Sequence, residues 1–397
     1  MTAGDHGRAA RARRPDPVPA AAAPPRSLAF FLHGFEMGGA QRMTLALAGA
    51  LASAGTRVDL AVADTGGPLA GSVPDGVRVV PVAGALARLS GKRRNRVRLS
   101  VPGLAAHLRR ERPELLLAAA NHASLATIWA HMLAGVPETT LVLRATNPLG
   151  RDGGSTLKRL AAQRFFPRAD ALVAVSPAVA ADHAFAIPEL ADRIETIPEP
   201  VLDAGYRDRL AQPWTGPLPA GDGPLILAIG RLVPQKDYPT LLRALAHLRG
   251  PLATPARLLV LGDGAERAAL AAMTAELGLD DAVTFAGTVA NPLPALRHAA
   301  CLALSSRWEG LGIVVVEAMA AGVPVVATDC DGPRFILEDR FGPLVTPGSP
   351  EAFAEALRRA LAAPVPASAL RARAADFTME AVLPAYLDLF ARLRTRG

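Results

Sequence analysis

Residues Ser305 to Thr328 read SSRWEGLGIVVVEAMAAGVPVVAT and follow an apolar run, Ala299 to Leu304, of strand length. Gly310 and Gly312 permit a turn, after which apolar residues continue at helical spacing as far as Ala321. Gly322 stops that helix, and Pro324 precedes a second β-branched strand. The unit is strand, loop, helix, strand. It places Glu309 on the loop at the carboxyl end of the first strand and Glu317 about two turns into the helix. In open α/β sheets ligands settle in that crevice, and the free N–H groups of a helix start attract anions there. A ligand that meets both carboxylates must reach past the helix mouth. A nucleotide sugar has that form, with sugar hydroxyls at one end, ribose hydroxyls at the other and two phosphates between.

Upstream, the buried strand Leu225 to Ile229 leads into GRLVPQKDYPTLL, which carries Arg231 and Lys236 on the loop before a helix at 238–249. Two fixed cations at a helix start can neutralise a diphosphate and stabilise charge on a departing one. The rhythm continues with strand 257–261, helix 265–277, strand 282–285 and helix 292–299, and ends in an amphipathic helix, Met379 to Arg394. LLVLGDGAERAAL holds Gly262 and Gly264, but Arg267 breaks the dinucleotide fingerprint, so this is a tight strand-to-helix turn and speaks against an NAD enzyme. In the first half, strand Leu28 to Leu32, the loop HGFEMGGAQRM, a helix at 41–54 and a strand at 58–63 make a βαβ opening, with Gly38 and Gly39 as candidate phosphate contacts. Strands at 115–119, 140–143 and 171–175 follow, ending in Asn121 and His122, in Arg144, Thr146 and Asn147, and in Ser176. The alternation predicts parallel, doubly wound sheets. Ile197 to Pro224 is Pro- and Gly-rich, like an interdomain connection. The division read from this is a disordered basic tail at 1–27, an N-terminal Rossmann-like acceptor domain at 28–200, a linker at 201–222, a donor-binding domain at 223–378 and a last helix at 379–397.

The 397 residues carry a net charge of +7, which favours acidic partners. Two cysteines, Cys301 and Cys330, are too few for a disulfide framework or a zinc cluster and fit a reducing compartment. No apolar run nears the roughly 20 residues of a membrane span. The first residues lack the apolar core of a secretion signal, so a cytoplasmic location is expected, peripheral on the inner face of the plasma membrane if basic surface docks there. Arg88, Lys92, Arg93, Arg94, Arg96, Arg98, Arg109, Arg110 and Arg112 form one basic run, read either as a solvated face or as an anionic-lipid patch. LKRLAAQRFFPR at 157–168 has the pattern of an interfacial helix and also of an ordinary core-facing one. Few aromatics and no recognised motif set nucleic acid aside.

GRLVPQKDY, LLVLGDGAER, VTFAGTV, SSRWEGLGIVVVEAMAAGVPVVATD and DGPRFILED occur in an order and spacing that resemble retaining glycosyltransferases of family 4, and FEMGGAQRM is similar to that family's Gly-Gly donor loop. The similarity runs from about residue 28 to the end and points to the bacterial surface-polysaccharide type, since Arg334 stands where a glutamate is common. The resemblance implies the GT-B fold: α/β, two facing Rossmann-like domains, with the C-terminal helix crossing back to the first. It implies a metal-independent transferase without a cofactor, moving a sugar from a nucleotide diphosphate sugar, UDP-linked in this reading, to a lipid-linked or polysaccharide acceptor. Arg231, Lys236 and Glu309 would then be catalytic. Gly38, Gly39, Gly310, Leu311, Gly312, Ile313 and Glu317 would bind the donor. Where many members carry a histidine after the fourth or fifth strand this chain has Thr146 and Asn147, with Arg144 nearby; these and His122 are the acceptor-side candidates. A sugar-nucleotide 2-epimerase of the same architecture and a non-catalytic basic membrane-binding protein are the alternatives.

Overall fold

The computed structural model describes residues 22–36, 38–84, 93–149, 156–249 and 255–395. The expected tail up to residue 21, and Arg88 and Lys92 of the basic run, lie outside the described residues, as do the side chains of Arg93 and Arg94. Two wholly parallel sheets form the chain's core. The first contains β1 (Ser27–Leu32), β2 (Arg57–Val62), β3 (Val77–Pro81), β4 (Leu115–Ala118), β5 (Thr140–Ala145), β6 (Ala171–Ala174) and β7 (Ile194–Thr196), in the order β3-β2-β1-β4-β5-β6-β7. The second contains β8 (Leu225–Ile229), β9 (Arg257–Leu261), β10 (Val283–Gly287), β11 (Cys301–Leu304), β12 (Val325–Thr328) and β13 (Leu344–Val345), in the order β10-β9-β8-β11-β12-β13. In each sheet the order reverses beside its first strand, between β1 and β4 and between β8 and β11, and a crevice opens at such a reversal.

Strands such as SLAFFL and LILAI are apolar on both faces because helices cover both sides of a parallel sheet. β1 is buried along its whole length, with Phe30 opposite Leu60 on one side and Leu117 on the other. The last helix, Met379–Arg394, leaves the second sheet and packs on the first: Val382, Tyr386, Leu389 and Phe390 share one core with Leu28, Phe30, Leu60 and Leu117. Thr378 caps it, accepting from the Ala381 N–H at 3.2 Å, and Arg392 holds Glu195 at 2.6 Å. The outgoing and returning chains pair where they cross, with Leu202 N donating to Phe377 O at 3.1 Å and Met379 N to Leu202 O at 3.0 Å.

Three details differ from expectation. The segment read as a plain linker at 201–222 contains a short helix, Tyr206–Ala211, because Tyr206 is apolar enough to bury itself against the second domain. The helix expected at 292–299 is a 3-10 turn, Leu293–His298, with Pro292 and Pro294 withholding N–H groups from a regular start. β3, β7 and β13 were not foreseen from the sequence: β3 and β7 are half-exposed edges and β13 has two residues, so none offers a long apolar run.

Because Phe390 is wholly buried in the first domain's core although it follows the second domain in the chain, Phe390→Ala should cost about 3–5 kcal/mol. Urea denaturation would measure it, and a cost near zero would mean that the last helix is not docked in solution.

Candidate active site

Two loops of the second domain, one after β8 and one after β11, are stitched to each other. Ser305 Oγ donates to Lys236 O at 2.8 Å, the Arg307 N–H donates to Gln235 O at 2.8 Å, and Gln235 Nε2 donates to Trp308 O at 2.9 Å. Asp237 ends the first loop in the left-handed region at φ 47°, where its carboxylate accepts from Thr240 Oγ1 at 2.9 Å. The stitching fixes Lys236 and Glu309, whose Nζ and Oε1 form a close ion pair, and Ser306 Oγ donates to the same Oε1 at 2.6 Å. Tyr238, buried beneath, donates to Gly230 O at 3.0 Å. Burial and then the Glu309 charge hold its phenol above its ordinary range, so it remains a donor. Burial first, and Glu309 second, likewise push the Cys330 thiol up to about 12. Arg231 stands exposed on the same loop, without an ion pair among the described residues.

Gly312 adopts φ 91° and opens the helix Ile313–Ala321, with no side chain capping its first turn and no acid within it. That end faces the first domain at contact distance. A Cβ at position 310 would stand 1.8 Å from Thr146 O, so only glycine permits the approach. One at position 39 would stand 2.5 Å from Ile313 Cδ1, which puts the Gly38-Gly39 turn against the same helix start. Leu311 is buried, its carbonyl tight against Gly332.

Glu317, 2% exposed, lies in the apolar helix as the sequence places it. Its Oε1 accepts from Arg42 Nη1 at 3.1 Å, across the domain boundary. Tyr206, in the connecting segment, donates to Glu317 O at 2.6 Å, and its phenol is raised by burial first and by Glu317 second. The second carboxylate oxygen, Oε2, is buried and has no hydrogen-bond partner among the described residues. Arg42, Tyr206 and Ser306 were not singled out in the sequence. Arg42 had a signal, since it is the one cation in the loop-to-helix stretch GGAQRM that brings Gly38 and Gly39 to the site.

The acceptor-side candidates separate. Asn121 clamps the end of β5: its Nδ2 donates to Asn147 O at 2.8 Å and its Oδ1 accepts from the Thr146 N–H at 2.7 Å, so Thr146 and Asn147 sit opposite Gly310. His122 is exposed at the start of the helix Asn121–Ala134, at the reversal between β1 and β4. Arg144 does not join them. Its side chain is fully buried, donating to Glu199 Oε1 at 2.7 Å and to Thr44 Oγ1 at 3.2 Å, so it braces the interior of the first domain and is withdrawn from the crevice.

Family models described as "Glycosyl transferases group 1" and "Glycosyltransferase Family 4" match residues 216–377 and 37–202. Between them they take in most of the chain, and the two sheets divide as the two models do. The chain belongs to glycosyltransferase family 4. Lipopolysaccharide core biosynthesis glycosyltransferase LpsE of Rhizobium meliloti is 36% identical over 180 residues, 43% of this chain and 50% of the relative. A GDP-mannose-dependent phosphatidylinositol monomannoside mannosyltransferase of Mycolicibacterium smegmatis is 34% identical over 208 residues, 50% of this chain and 51% of the relative. These matches span about half the length of each curated relative. Among solved structures, sucrose-phosphate synthase of Thermosynechococcus elongatus superposes with a TM-score of 0.75 at 22% identity, covering 94% of this chain and all of the other. Anabaena HepE in complex with UDP-glucose does so with a TM-score of 0.71 at 19% identity and the same coverage. At those identities the likeness is one of fold, and it is the GT-B arrangement of two facing Rossmann-like domains.

The Arg42–Glu317 pair is the ionic tie between the family 4 lobes at this site. Arg42→Glu sets two carboxylates against each other and should enlarge the radius of gyration in small-angle scattering and lower the melting temperature. An unchanged radius would show that closure does not depend on the pair.

Proposed function

We propose that this family 4 chain is a retaining glycosyltransferase that moves a hexosyl group from a nucleoside diphosphate sugar to a hydroxyl of a lipid-linked or saccharide acceptor. The observation that carries the reading is Glu317. A carboxylate buried in an apolar helix, with one oxygen on Arg42 and the other without a donor, calls for a hydroxyl, and ribose offers two. From there the diphosphate would run past the uncapped start of the helix Ile313–Ala321 to Lys236 and Arg231, and the sugar hydroxyls would fall to Glu309. Lys236 then exchanges part of its bond with Glu309 for the phosphate, leaving Glu309 held by Ser306 and open to the sugar.

In the transfer, the bond from the anomeric carbon to the phosphate oxygen breaks with its electron pair on the phosphate. The acceptor oxygen bonds the same carbon on the same face, and its proton passes to the departing phosphate. Arg231 and Lys236 stabilise the charge that builds there, so the reading needs no metal. UDP is the expected nucleotide. HepE, a neighbour in fold, was solved with UDP-glucose, and the named mannosyltransferase relative depends on GDP-mannose, so UDP, GDP and ADP are to be titrated side by side. An epimerase would instead convert the donor without any acceptor.

Glu317→Ala should weaken nucleotide binding about tenfold or more, the cost of about one to two hydrogen bonds to a charged group. Lys236→Ala should lower kcat about a hundredfold or more. Calorimetry and donor-turnover assays across a panel of nucleotide sugars, with and without EDTA, would measure both. Wild-type behaviour of the two variants would defeat the assignment.

The same reading places the acceptor's source at an anionic lipid surface. No helix among the described residues is long and apolar enough to cross a membrane. The helix Thr156–Phe165 leaves Leu157 75% and Leu160 56% exposed, with Lys158, Arg159 and Arg164 around them and no acid from 156 to 168. Each cation near an anionic surface contributes roughly 1 kcal/mol. Leu157→Asp with Leu160→Asp should release the protein from anionic vesicles in a flotation assay and leave turnover on a soluble acceptor intact; undiminished flotation would remove this face from the proposal.

A further inference from the structure

The buried pair Arg144–Glu199 is joined by hydrogen bonds to the turn that carries Gly38 and Gly39, and the transfer steps above leave those bonds unused. Arg144, in β5, is 1% exposed, and Glu199, on the chain that leaves β7 for the second domain, is 3% exposed. Arg144 Nη2 donates to Glu199 Oε1 at 2.7 Å, and its Nη1 donates to Thr44 Oγ1 at 3.2 Å. Thr44 Oγ1 donates in turn to Ala40 O at 2.7 Å. Thr44 and Ala40 belong to the helix Gly39–Ser53, which has Gly38 as its N-cap and no side chain bonded to its first N–H groups. Arg144, Glu199 and Thr44 are all buried, where hydrogen bonds are stronger than in water.

A guanidinium offers hydrogens and no lone pair, so Thr44 Oγ1 must accept from Arg144. Its one hydrogen then goes to Ala40 O, and only that orientation of the hydroxyl satisfies both contacts. A helical threonine commonly bonds the carbonyl four residues back. What the buried cation adds is a fixed direction and a polarised O–H. The bond lands on a turn that needs it, because the paired glycines restrain the backbone least. That turn brings Gly39 against Ile313 and sends Arg42 to Glu317, so its place decides how the first domain meets the second at the site. Resting on the glycosyl-transfer reading, we propose that Arg144, anchored by Glu199, is a positioning residue for the donor: through Thr44 it holds the first turn of the helix Gly39–Ser53 where Gly38 and Gly39 meet the diphosphate. The guanidinium that steadies the phosphate turn thereby also grips the connection between the domains.

Removing Arg144 would strand Glu199 as a buried, unpaired charge and put the fold at risk, so the test is made at Thr44 in the full chain. Thr44→Val keeps the shape and removes the hydroxyl. It should raise donor KM, and the Kd of whichever of UDP, GDP and ADP the wild type binds, about fivefold, with kcat and acceptor KM within about twofold of wild type. Thr44→Ser restores the hydroxyl without the methyl and should bring both constants back. A threonine wanted only for packing would give the reverse order, with valine mild and serine harmful. Hydrogen exchange read by mass spectrometry should quicken in a peptide spanning residues 39–44 in Thr44→Val and return to the wild-type rate in Thr44→Ser. An unchanged donor KM in Thr44→Val, or a Thr44→Ser protein no better than Thr44→Val, would overturn the inference. The exchange stands apart from turnover: a wild type that binds no nucleotide and transfers no sugar, while exchange at 39–44 follows the hydroxyl as stated, would refute the transfer reading and leave the tie to the helix start in place.

Discussion

A carboxylate 2% exposed in a helix of IVVVEAMAA is the constraint on which the arrangement turns. An uncompensated charge there would cost several kcal/mol, and its own helix and sheet supply no cation. Compensation arrives from outside the domain. Arg42 reaches across from the first domain to one oxygen, and Tyr206, from the connecting segment, ties down the carbonyl of the same residue. Neither lobe alone is complete around Glu317, so the charge makes closure and the site one structural event. On the proposed reading, the unpartnered oxygen is the one that a ligand hydroxyl would meet.

Close approach is arranged by the same economy of side chains. Gly310 meets Thr146 O, Gly39 meets Ile313, Gly332 meets Leu311 O, and Gly262 and Gly264 meet the carbonyls of Gly230 and Leu232. At each of these crossings except Gly39, whose neighbour is the Ile313 side chain, backbone touches backbone. Main-chain groups on such loops are fixed by strand ends that are themselves buried, which gives the site its rigidity without large side chains. Lys236 and Glu309 exemplify the outcome: the carbonyl of Lys236 is held by Ser305 from the loop opposite, and the carboxylate of Glu309 by Lys236 from the loop opposite and by Ser306 from its own.

How much of this was legible in the sequence depended on how local the cause was. The elements at 238–249, 257–261 and 379–394 fall on the residues expected, because apolar spacing and flanking breakers act within a few positions. The pair of glutamates could be placed on loop and helix for the same reason. Arg42 and Glu317 are 275 positions apart, and nothing periodic links them. Arg144 misled in the opposite direction: a polar residue at a strand end looked like crevice lining, but its partner Glu199, 55 positions on, draws it inside. His33 sat unremarked in HGFE, since its contact with His122 at 3.0 Å exists only once β1 and β4 lie side by side.

The positive charge of the chain also serves its internal structure. Many of its arginines serve as staples for main-chain carbonyls: Arg193 donates to Pro167 O, Ala169 O and Glu189 O, Arg257 to Gly223 O and Pro219 O, and Arg373 to Ile336 O and Phe335 O. Within the basic run, Arg109 donates to the carbonyls of Leu133 and Ala134, Arg96 pairs with Asp64 and Arg112 with Glu138. A planar guanidinium with five donors suits that work, as an ammonium would not. Cations so placed hold helix ends and loop carbonyls in register while keeping their charge. What marks the helix Thr156–Phe165 is its local pattern: three exposed cations, two exposed leucines and no neighbouring acid within its own sequence.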